Sequence, residues 1–592
     1  MLRVDLSNAR TETERLEERM FDRYLGGRGL GAALLSEEIS PSIDPLSTDA
    51  RLILATGPLT GTMAPGSSRA SVNFKSPLTG AYGFSLAGGH FGAELKYAGY
   101  DAVIIQGRSR SPSMLVIDDK RATVTDAEPY WAADTIEAQE AIHHDLGRDF
   151  EIACIGPAGE NLVKYANIIF GRRAAGRCGA GAVLGSKKLK AIAVRGTGNI
   201  TLHDIKQFDE NLKPVFEAVK KDAEMIDYRF YGTPSLVRAL NELGMLPTRN
   251  FRTGVFDGAE EIGGERMRQK LVSRDSACFA CAVACGKVSS IHYRGEAAVT
   301  EGPEYETVYA LGSNCGIKSI HSIALSDYLC DRMGMDTITT GSVIAFMMEC
   351  HERQVLKGRL GEFKIKFGKY AELPRVIEAI ARREGFGADL AEGVRHLAKA
   401  VGHNSDHYAM HVKGLELGGY DPRGAKGEGL AMATSERGGC HHAGGYTMFP
   451  EVFSGKMDRF TPQGKASLVK ELRKKQLVFD SAILCVFYSG VVYLDAVANL
   501  LKHATGSDFT SSRLLEAAEH ISNTERIFNY RAGVRRRDDD LPRRLIETPM
   551  PEGPCKGQRV ELELMLKEFY EECGWDSESG APKGEGYSAS GR

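Results

Sequence analysis

The three cysteines in the segment RDSACFACAVACGK constrain this chain more than any other feature. They are Cys278, Cys281 and Cys285, in the spacing C-x-x-C-x-x-x-C. Three thiolates this close in sequence converge on one metal centre only if the backbone folds around that centre. Soft thiolates suit iron and zinc, and a [4Fe–4S] cluster needs four ligands. The spacing therefore predicts a metal site whose fourth ligand comes from elsewhere in the chain.

The spacing favours iron–sulfur over zinc because no paired C-x-x-C or H-x-x-x-H motif follows to complete a zinc site. A structural zinc site, or buried cysteines that are neighbours without a metal, are the alternatives. Spacing does not choose the fourth ligand among the remaining cysteines, which are Cys154, Cys178, Cys315, Cys330, Cys350, Cys440, Cys485, Cys555 and Cys573.

The start of the chain, MLRVDLSNARTETE, has no apolar region behind a basic segment, so we expect no secretory signal. No uncharged apolar run reaches the length of about 18 residues that predicts a membrane span. We therefore expect a cytoplasmic protein, in which clustered thiols bind metal rather than form disulfides. The 75 Lys and Arg residues against 78 Asp and Glu residues leave a net charge of −3, which gives no electrostatic footprint for nucleic acid.

The length of 592 residues predicts several domains. We predict an α+β multidomain protein with an N-terminal β-sheet-rich cofactor-binding domain (1–204) and two mainly α-helical domains (205–405 and 406–592). Strands are predicted where short β-prone runs lie between glycine-rich loops. These runs are Arg51–Ala55, Asp101–Gln106, Met114–Ile117 and Ala191–Val194.

Amphipathic stretches with helical spacing begin near residue 205, and Lys206–Asp222 and Leu373–Arg383 are examples. The boundary near residue 405 is predicted where this pattern gives way to the glycine-rich segment Gly414–Gly445. The final residues, Pro582–Arg592, are small and polar, and we expect them to fray.

Together with its surroundings, the cysteine motif resembles that of the aldehyde:ferredoxin oxidoreductase family. The similarity runs from Gly26 to Asp576 and so covers nearly the whole chain. It rests on separate segments, which are Gly57–Arg69, Ser76–Gly80, Ile155–Asn161, Ala174–Lys190, Gly302–Thr307, Asp331–Asp336 and Asp480–Cys485. The resemblance implies two molybdopterin-type pterins that hold one tungsten or molybdenum, a nearby [4Fe–4S] cluster and a magnesium ion that bridges the pterin phosphates. It also implies that Cys485 is the fourth cluster ligand.

The family carries two pterin motifs of the form D-x-x-G-L-D/C. The first is matched by Asp331, Gly334, Met335 and Asp336, with methionine in place of the usual leucine, which is a conservative change. Aspartates suit this role because a carboxylate accepts charge-assisted hydrogen bonds from the N–H and NH2 groups of a reduced pterin.

The second motif keeps Asp480, Leu484 and Cys485 but has Ile483 where glycine is usual. Glycine permits a positive φ that isoleucine adopts only at a cost. We therefore expect the local backbone geometry, rather than the identity of the cofactor, to be affected.

Glycine-rich loops of the first domain are candidate phosphate sites because backbone N–H groups in a glycine-lined concavity bind phosphate. Gly88 and Gly89 belong to one such segment, SLAGGHFG, and another is AAGRCGAGAVLGSKK. Arg69 and Arg177 resemble family residues that line the cofactor. Simple turns between strands are the alternative explanation for the glycines. No Walker sequence is present, and GGRGLGA lacks a strand–helix context, so we expect no dinucleotide site.

A carboxylate that deprotonates water and an imidazole that polarises a carbonyl would suit aldehyde oxidation. The candidates are Glu304 and Glu306 in GPEYET, and His441 with His442 in RGGCHHAGGY. By resemblance, one glutamate and one histidine face the catalytic metal, and their positions relative to Asp331 favour Glu306 and His441. The alternatives are structural hydrogen bonding and a metal site that includes the adjacent Cys440.

The resemblance implies oxidation of aldehydes to carboxylic acids, with oxygen from water and electrons passed to ferredoxin or an iron–sulfur partner subunit. One alternative is the tungsten subunit of a dearomatising aryl-coenzyme A (benzoyl-coenzyme A) reductase. Another is an electron-transfer or scaffold subunit without pterin chemistry, which the presence of Arg69, Asp331 and Asp480 disfavours. Some family members are homodimers joined by an iron, so a homodimer stays open. In those members Glu and His hold the iron in an E-x-x-H-like arrangement. We do not predict that iron, because the position six residues before Asp331 is Leu325, which cannot bind a metal.

Overall fold

The computed structural model describes residues 1–356 and 363–583. Most of the tail that is predicted to fray, from residue 584 onward, lies outside the described residues.

Residues 1–195 contain two six-stranded sheets. The first has the spatial order β2-β1-β6-β3-β4-β5 and consists of β1 Leu2–Asp5, β2 Arg10–Thr13, β3 Leu52–Ala55, β4 Ala70–Lys75, β5 Tyr82–Ala87 and β6 Ala102–Gln106. The second has the order β11-β10-β9-β12-β7-β8 and consists of β7 Ser113–Asp118, β8 Arg121–Asp126, β9 Glu151–Cys154, β10 Ile168–Phe170, β11 Arg173–Ala175 and β12 Leu189–Arg195. β1 pairs with β6, and β7 with β12, in parallel, whereas the other neighbours are antiparallel.

All four predicted β-prone runs are strands, namely β3, β6, β7 and β12. Strands β3 and β4 are buried along their whole length, which explains why β3 reads as a continuous apolar run. The helices of this part are α1 Glu18–Tyr24, α2 Gly27–Glu38, α3 Phe91–Tyr97, α4 Thr135–Leu146, α5 Pro157–Glu160 and α6 Ala180–Ser186. Helix α2 packs against β3 and β4.

The segment AAGRCGAGAVLGSKK is not a simple glycine loop, contrary to the prediction, because it contains helix α6. Within this helix, Gly181 and Gly185 allow close packing. A Cβ atom at Gly181 would overlap the carbonyl of Asn167, and one at Gly185 would overlap the carbonyl of Gly159. The helix therefore approaches neighbouring backbone more closely than a helix with larger side chains could.

The rest of the chain is mainly helical, as predicted. Its helices are α7 Ile205–Lys221, α8 Ala223–Tyr231, α9 Leu236–Glu242, α10 Ala259–Ile262, α11 Gly264–Lys270, α12 Tyr305–Leu311, α13 Ile320–Met333, α14 Thr337–Glu352, α15 Leu373–Arg382, α16 Gly387–Leu390, α17 Val394–Val401, α18 Lys426–Thr434, α19 Lys465–Ala482, α20 Leu494–Thr505, α21 Ser511–Arg531, α22 Arg543–Glu547 and α23 Leu562–Cys573. Helices α7 and α15 confirm the two amphipathic stretches. Strands β13 Val272–Ser276, β14 Gly286–Tyr293 and β15 Glu296–Glu301 form a small sheet, and β16 His411–Val412 pairs with β17 Leu415–Glu416.

Helix α19 is the central element of the C-terminal region, because it packs against α2, α18, α21 and α23. Its last turns, Leu477–Ala482, are buried. Among the described residues, no helix is both long and apolar enough to cross a membrane. The boundaries at residues 204 and 405 stay predictions, whereas the α+β class with a sheet-rich first part is confirmed.

Candidate active site and metal centre

The three clustered cysteines lie on the loop between β13 and β14, and Cys485 directly follows the end of α19. Ala280 and Ala284, between the cysteines, have positive φ values of 50° and 53°, so the loop turns back on itself there. The Cys281 Sγ lies 3.5 Å from the hydroxyl of Tyr488, which belongs to the same turn as Cys485. The structure thus brings the clustered cysteines close to the cysteine that the resemblance assigns as the fourth ligand.

Glycines of the first domain pack against the segments that carry these cysteines. The Gly66 amide donates to the Ala280 carbonyl at 3.1 Å, and the Gly66 carbonyl accepts from the Cys485 amide at 3.0 Å. A Cβ at Gly88 would lie 2.8 Å from the Cys278 Sγ, and the Gly89 carbonyl accepts from the Phe279 amide at 3.0 Å. Gly88 and Gly89, which the sequence suggests as phosphate-binding residues, therefore lie against the cysteine loop.

The two pterin motifs end their helices in the same way. Helix α13 is followed by Gly334 in the left-handed conformation (φ 76°), and the Met335 amide donates to the Cys330 carbonyl at 2.9 Å. Helix α19 is followed by Ile483 in the same conformation (φ 61°), and the Leu484 amide donates to the Phe479 carbonyl at 2.8 Å. This hydrogen bond is typical of a Schellman helix end.

Ile483 therefore keeps the positive φ that glycine would supply, at a cost of about 1–2 kcal/mol for a residue with a Cβ. Its side chain is fully buried. A Cβ at Gly27 would lie 2.6 Å from the Ile483 Cδ1, and one at Gly57 would lie 2.8 Å from its Cγ1. The side chain thus fills the space that these two glycines leave open, which offsets the backbone cost.

Each motif faces an arginine from the first domain. The Arg69 Nη2 donates to the Cys485 Sγ at 3.1 Å. The Arg177 Nε lies 3.1 Å from the Asp336 Oδ2, and its Nη2 donates to the Glu416 carbonyl at 2.7 Å. Both arginines predicted from the sequence are therefore placed against the motifs.

The Asp480 carboxylate belongs to a buried network. It accepts from the Gln476 amide group at 2.7 Å and from the Arg28 Nη1 at 3.1 Å. Arg28 also donates twice to Glu525, at 2.7 Å each. Since Arg28 lies near the start of α2, this network joins the N-terminal domain to the second pterin motif.

The two aspartates of the first motif have different surroundings. Asp336 caps α14 by accepting from the amides of Ile338 and Thr339 at 3.1 and 3.3 Å. Burial, together with the charges of Asp327 and Glu301, raises the pKa of Asp331 well above its usual range. Of these two aspartates, Asp336 forms an ion pair with Arg177.

Glu306 and His441 come together, as predicted, with 3.5 Å between the Glu306 Oε1 and the His441 Nδ1. Both Glu306 oxygens accept from the Gly419 amide, at 3.1 and 3.0 Å. Burial raises the pKa of Glu306 to about 8, against the lowering effects of the Gly419 amide and Arg177. Burial also lowers the pKa of His441 well below its usual value, and nearby His442 adds to this effect. The imidazole is therefore neutral, and Glu306 ionises near pH 8.

Glu304 lies apart from this pair. It accepts from the Thr233 hydroxyl, and its side chain is 37% exposed, compared with 17% for Glu306. Its carboxylate lies 3.8 Å from Arg173. The surroundings favour Glu306 over Glu304 as the acid–base residue.

Cys440 and three aromatic rings surround His441. The Cys440 Sγ accepts from the Arg437 Nη2 at 2.8 Å. Burial favours the neutral thiol, but the charges of Arg437 and Arg177 outweigh it and lower the pKa of Cys440. The ring centroid of His441 lies 4.0 Å from that of His442, 5.3 Å from Tyr420 and 6.4 Å from Tyr446.

Several buried polar atoms of this region have no hydrogen-bond partner within residues 1–356 and 363–583. They are the Arg177 Nη1, the Arg437 Nε, the Nδ1 atoms of His441 and His442, and the Glu428 Oε1. An unsatisfied buried polar atom costs about 1–3 kcal/mol. Guanidinium N–H groups match phosphate and other anionic acceptors, so these residues fit a polar, phosphate-bearing pterin cofactor.

Sequence reasoning missed Arg28, Arg437, Arg173 and Tyr488. Arg28 lies in GGRGLGA and Arg437 lies three residues before Cys440, so an arginine in a family segment or beside a candidate residue was the available signal. Tyr488 carried no signal, because a tyrosine three residues after a cysteine has no chemical meaning until the fold is known.

The site combines thiols beside one helix end with a buried carboxylate–imidazole pair. This combination fits an oxidoreductase, and the unsatisfied guanidinium groups fit a polar cofactor. Models of the aldehyde ferredoxin oxidoreductase family match two parts of the chain: the N-terminal domain matches residues 1–196, and domains 2 and 3 match residues 210–589. The chain belongs to the aldehyde ferredoxin oxidoreductase family.

Curated relatives include the tungsten-containing aldehyde ferredoxin oxidoreductase of Pyrococcus furiosus, which is 43% identical over 98% of this chain and 97% of the relative. The enzyme of the same name from Thermococcus kodakarensis is 42% identical over 98% of this chain and 97% of its own length. A solved active-site complex of benzoyl-coenzyme A reductase with 1,5-dienoyl-CoA aligns with a TM-score of 0.83 and 23% identity, covering 98% of this chain and 95% of that one. At that identity, the likeness shows the fold alone.

We predict that Ile483→Gly destabilises the protein although it removes the strained backbone. Relief of the left-handed conformation gains about 1–2 kcal/mol, whereas deleting a buried aliphatic side chain costs about 2–5 kcal/mol. Thermal unfolding should therefore occur at a lower temperature than in the wild type. The control Ile483→Val keeps the strain and most of the packing, and should cost about 0.5–1.5 kcal/mol. Wild-type or greater stability of Ile483→Gly would contradict the prediction.

Proposed function

We propose that this protein oxidises aldehydes to carboxylic acids at a tungsten–bis-pterin centre and that a [4Fe–4S] cluster passes the electrons to ferredoxin. The proposal rests on the segment at the end of α19, which contains both Asp480 and Cys485. The Arg69 Nη2 donates a hydrogen bond to the Cys485 Sγ at 3.1 Å. One segment thus joins a pterin-binding carboxylate to a cluster ligand. Relatives at 42–43% identity carry the name tungsten-containing aldehyde ferredoxin oxidoreductase, which supports the activity.

The cluster would be held by Cys278, Cys281, Cys285 and Cys485. The spacing of the clustered cysteines favours iron–sulfur over the zinc alternative, because no paired C-x-x-C or H-x-x-x-H motif follows them in the sequence.

The pterins would bind at the two matching helix ends. Asp336 with Arg177, and Asp480 with Arg69, would contact one pterin each, and Met335 and Leu484 would pack beside them. Asp331 and the backbone of Gly88 and Gly89 complete the proposed set. Magnesium between the pterin phosphates is part of the proposal, and molybdenum is the alternative to tungsten because both bind the same dithiolenes.

In the reaction, an aldehyde and water yield a carboxylic acid, two protons and two electrons, and a tungsten–pterin group held at this site would accept the two electrons. Ionised Glu306 takes a proton from the attacking water, and neutral His441 donates a hydrogen bond to the carbonyl oxygen and increases the positive charge on its carbon. The surrounding rings of Tyr420, Tyr446 and His442 exclude bulk water. Electrons leave one at a time to ferredoxin or an iron–sulfur partner subunit.

Substrate, partner and compartment follow from this proposal. The substrate is a small aldehyde, the acceptor is a soluble electron carrier and the compartment is the cytoplasm, where thiols are kept reduced.

Anaerobically purified protein should contain tungsten or molybdenum and about four iron atoms per chain, as expected for one [4Fe–4S] cluster. It should also reduce a viologen dye only when an aldehyde is added. Metal analysis by mass spectrometry and a spectrophotometric assay measure both properties. An active preparation without tungsten and molybdenum would overturn the proposed function.

Cys485→Ser should lower the iron and sulfide content, because serine is a poor ligand for a cluster that prefers thiolates. Cys350→Ser is the matched control, since the Cys350 Sγ lies in α14 beside the Tyr408 hydroxyl at 3.7 Å. The control should keep the wild-type iron content. Equal losses in both variants would mean that Cys485 is not a cluster ligand.

The rate of aldehyde oxidation should increase with pH through about 8, because burial raises the pKa of Glu306 to about 8 and a general base must be ionised. Glu306→Gln should lose about 10²- to 10⁴-fold in rate and also lose this dependence on pH. Glu304→Gln, at the more exposed neighbouring position, is the control and should stay near the wild-type rate. A larger loss in the control than in Glu306→Gln would reverse the assignment.

A further inference from the structure

The side chain of Tyr488 reaches the cysteine loop from the turn that follows Cys485. Its hydroxyl lies 3.5 Å from the Cys281 Sγ and accepts a hydrogen bond from the Ala282 amide at 2.9 Å. No other tyrosine hydroxyl is hydrogen-bonded to a clustered cysteine in the part of the chain that the structure describes.

The direction of the hydrogen bond between Tyr488 and Cys281 follows from the hydrogen bond between Ala282 and Tyr488. A backbone amide only donates, so the phenol oxygen is the acceptor toward Ala282. The phenol hydrogen is then free to point at the Cys281 sulfur, and a thiolate ligand only accepts. Tyr488 is thus arranged as an O–H donor to a cluster-ligand sulfur.

The position of the ring is fixed. Tyr488 is buried, and a Cβ at Gly66 would lie 2.5 Å from its Cε2, so the ring occupies space that only a glycine at position 66 leaves open. The Tyr488 amide donates to the Cys485 carbonyl at 3.1 Å, and the Tyr488 carbonyl accepts from the amides of Val491 and Val492. A donor held by this many contacts loses little entropy in keeping its hydrogen bond.

We infer that Tyr488 is a positioning residue that raises the reduction potential of the cluster by donating a hydrogen bond to the Cys281 sulfur. Hydrogen bonds to cluster sulfurs withdraw negative charge and so stabilise the reduced state, which carries one more electron. Arg69 donates to Cys485 and Tyr488 to Cys281, so two different ligands receive a donor. The inference rests on the proposed cluster and adds what sets its potential.

The test is the midpoint potential of the cluster, measured by electron paramagnetic resonance during a redox titration of the holoenzyme. Tyr488→Phe keeps the ring and removes the donor. We expect full iron content and a more negative potential, with a change of up to about tenfold in the reduction equilibrium, equivalent to about 59 mV for a one-electron couple. Tyr97→Phe is the control, because the Tyr97 hydroxyl donates to the Gly61 carbonyl at 2.7 Å and to no cysteine. The control should keep the wild-type potential.

A second measurement does not depend on how well Tyr488→Phe folds. Placing 3-fluorotyrosine at position 488 keeps the hydroxyl and makes it a stronger donor, so the potential should become more positive. A purely structural role would leave the potential unchanged. If both proteins contain the cluster and neither potential moves, or if Tyr488→Phe loses the cluster and the fluorotyrosine protein shows no shift, the inference is overturned. Absence of iron from the wild-type protein would instead overturn the proposed function.

Discussion

The backbone of Gly66 holds together the two segments that carry the clustered cysteines and Cys485. Its amide bonds to Ala280 on the cysteine loop and its carbonyl to Cys485 after α19, so one residue of the sheet domain joins two segments that are far apart in sequence. A positive φ of 77° and the nearness of Cys485 and Tyr488 leave room only for glycine. A side chain here would separate the two segments that supply the four cysteines.

The two motifs that resemble pterin motifs share the same backbone conformation. A left-handed residue ends each helix, so the chain turns sharply and the residues after the turn face the sheet domain instead of continuing along the helix axis. From that domain, Arg69 contacts Cys485 after one turn, and Arg177 contacts Asp336 after the other. Glycine gives the turn at position 334 without a steric cost, whereas Ile483 offsets its cost by filling the space beside Gly27 and Gly57. The motif therefore specifies a backbone shape, which more than one residue can adopt.

Local sequence patterns predicted the elements that depend mainly on neighbouring residues in the chain. Strands β3, β6, β7 and β12, and helices α7 and α15, follow from apolar periodicity, and the cysteine loop follows from spacing. The fourth cysteine required the family resemblance, because nothing near Cys485 in the sequence indicates that it lies beside Cys281. Arg28 could not be predicted as a partner of Asp480 and Glu525, since long-range packing alone brings them together. The glycines of α6 were misread as a loop because close helix packing and turning both select glycine.

In the proposed function the two motifs would serve different parts of the reaction, because the first lies near the acid–base pair and the second adjoins the clustered cysteines. Asp336 of the first motif and Arg177, which forms an ion pair with it, both affect the pKa of Glu306, so the acid–base pair lies on that side of the site. Cys485, bonded to Arg69, belongs to the second motif and adjoins the cysteine loop. In the proposed reaction a proton would therefore be handled by Glu306 beside the first motif, and electrons would leave through Cys485 in the second. Because burial, with smaller contributions from His442, Arg177 and Arg437, lowers the pKa of His441, the imidazole is neutral and would offer the proposed substrate an uncharged hydrogen-bond donor.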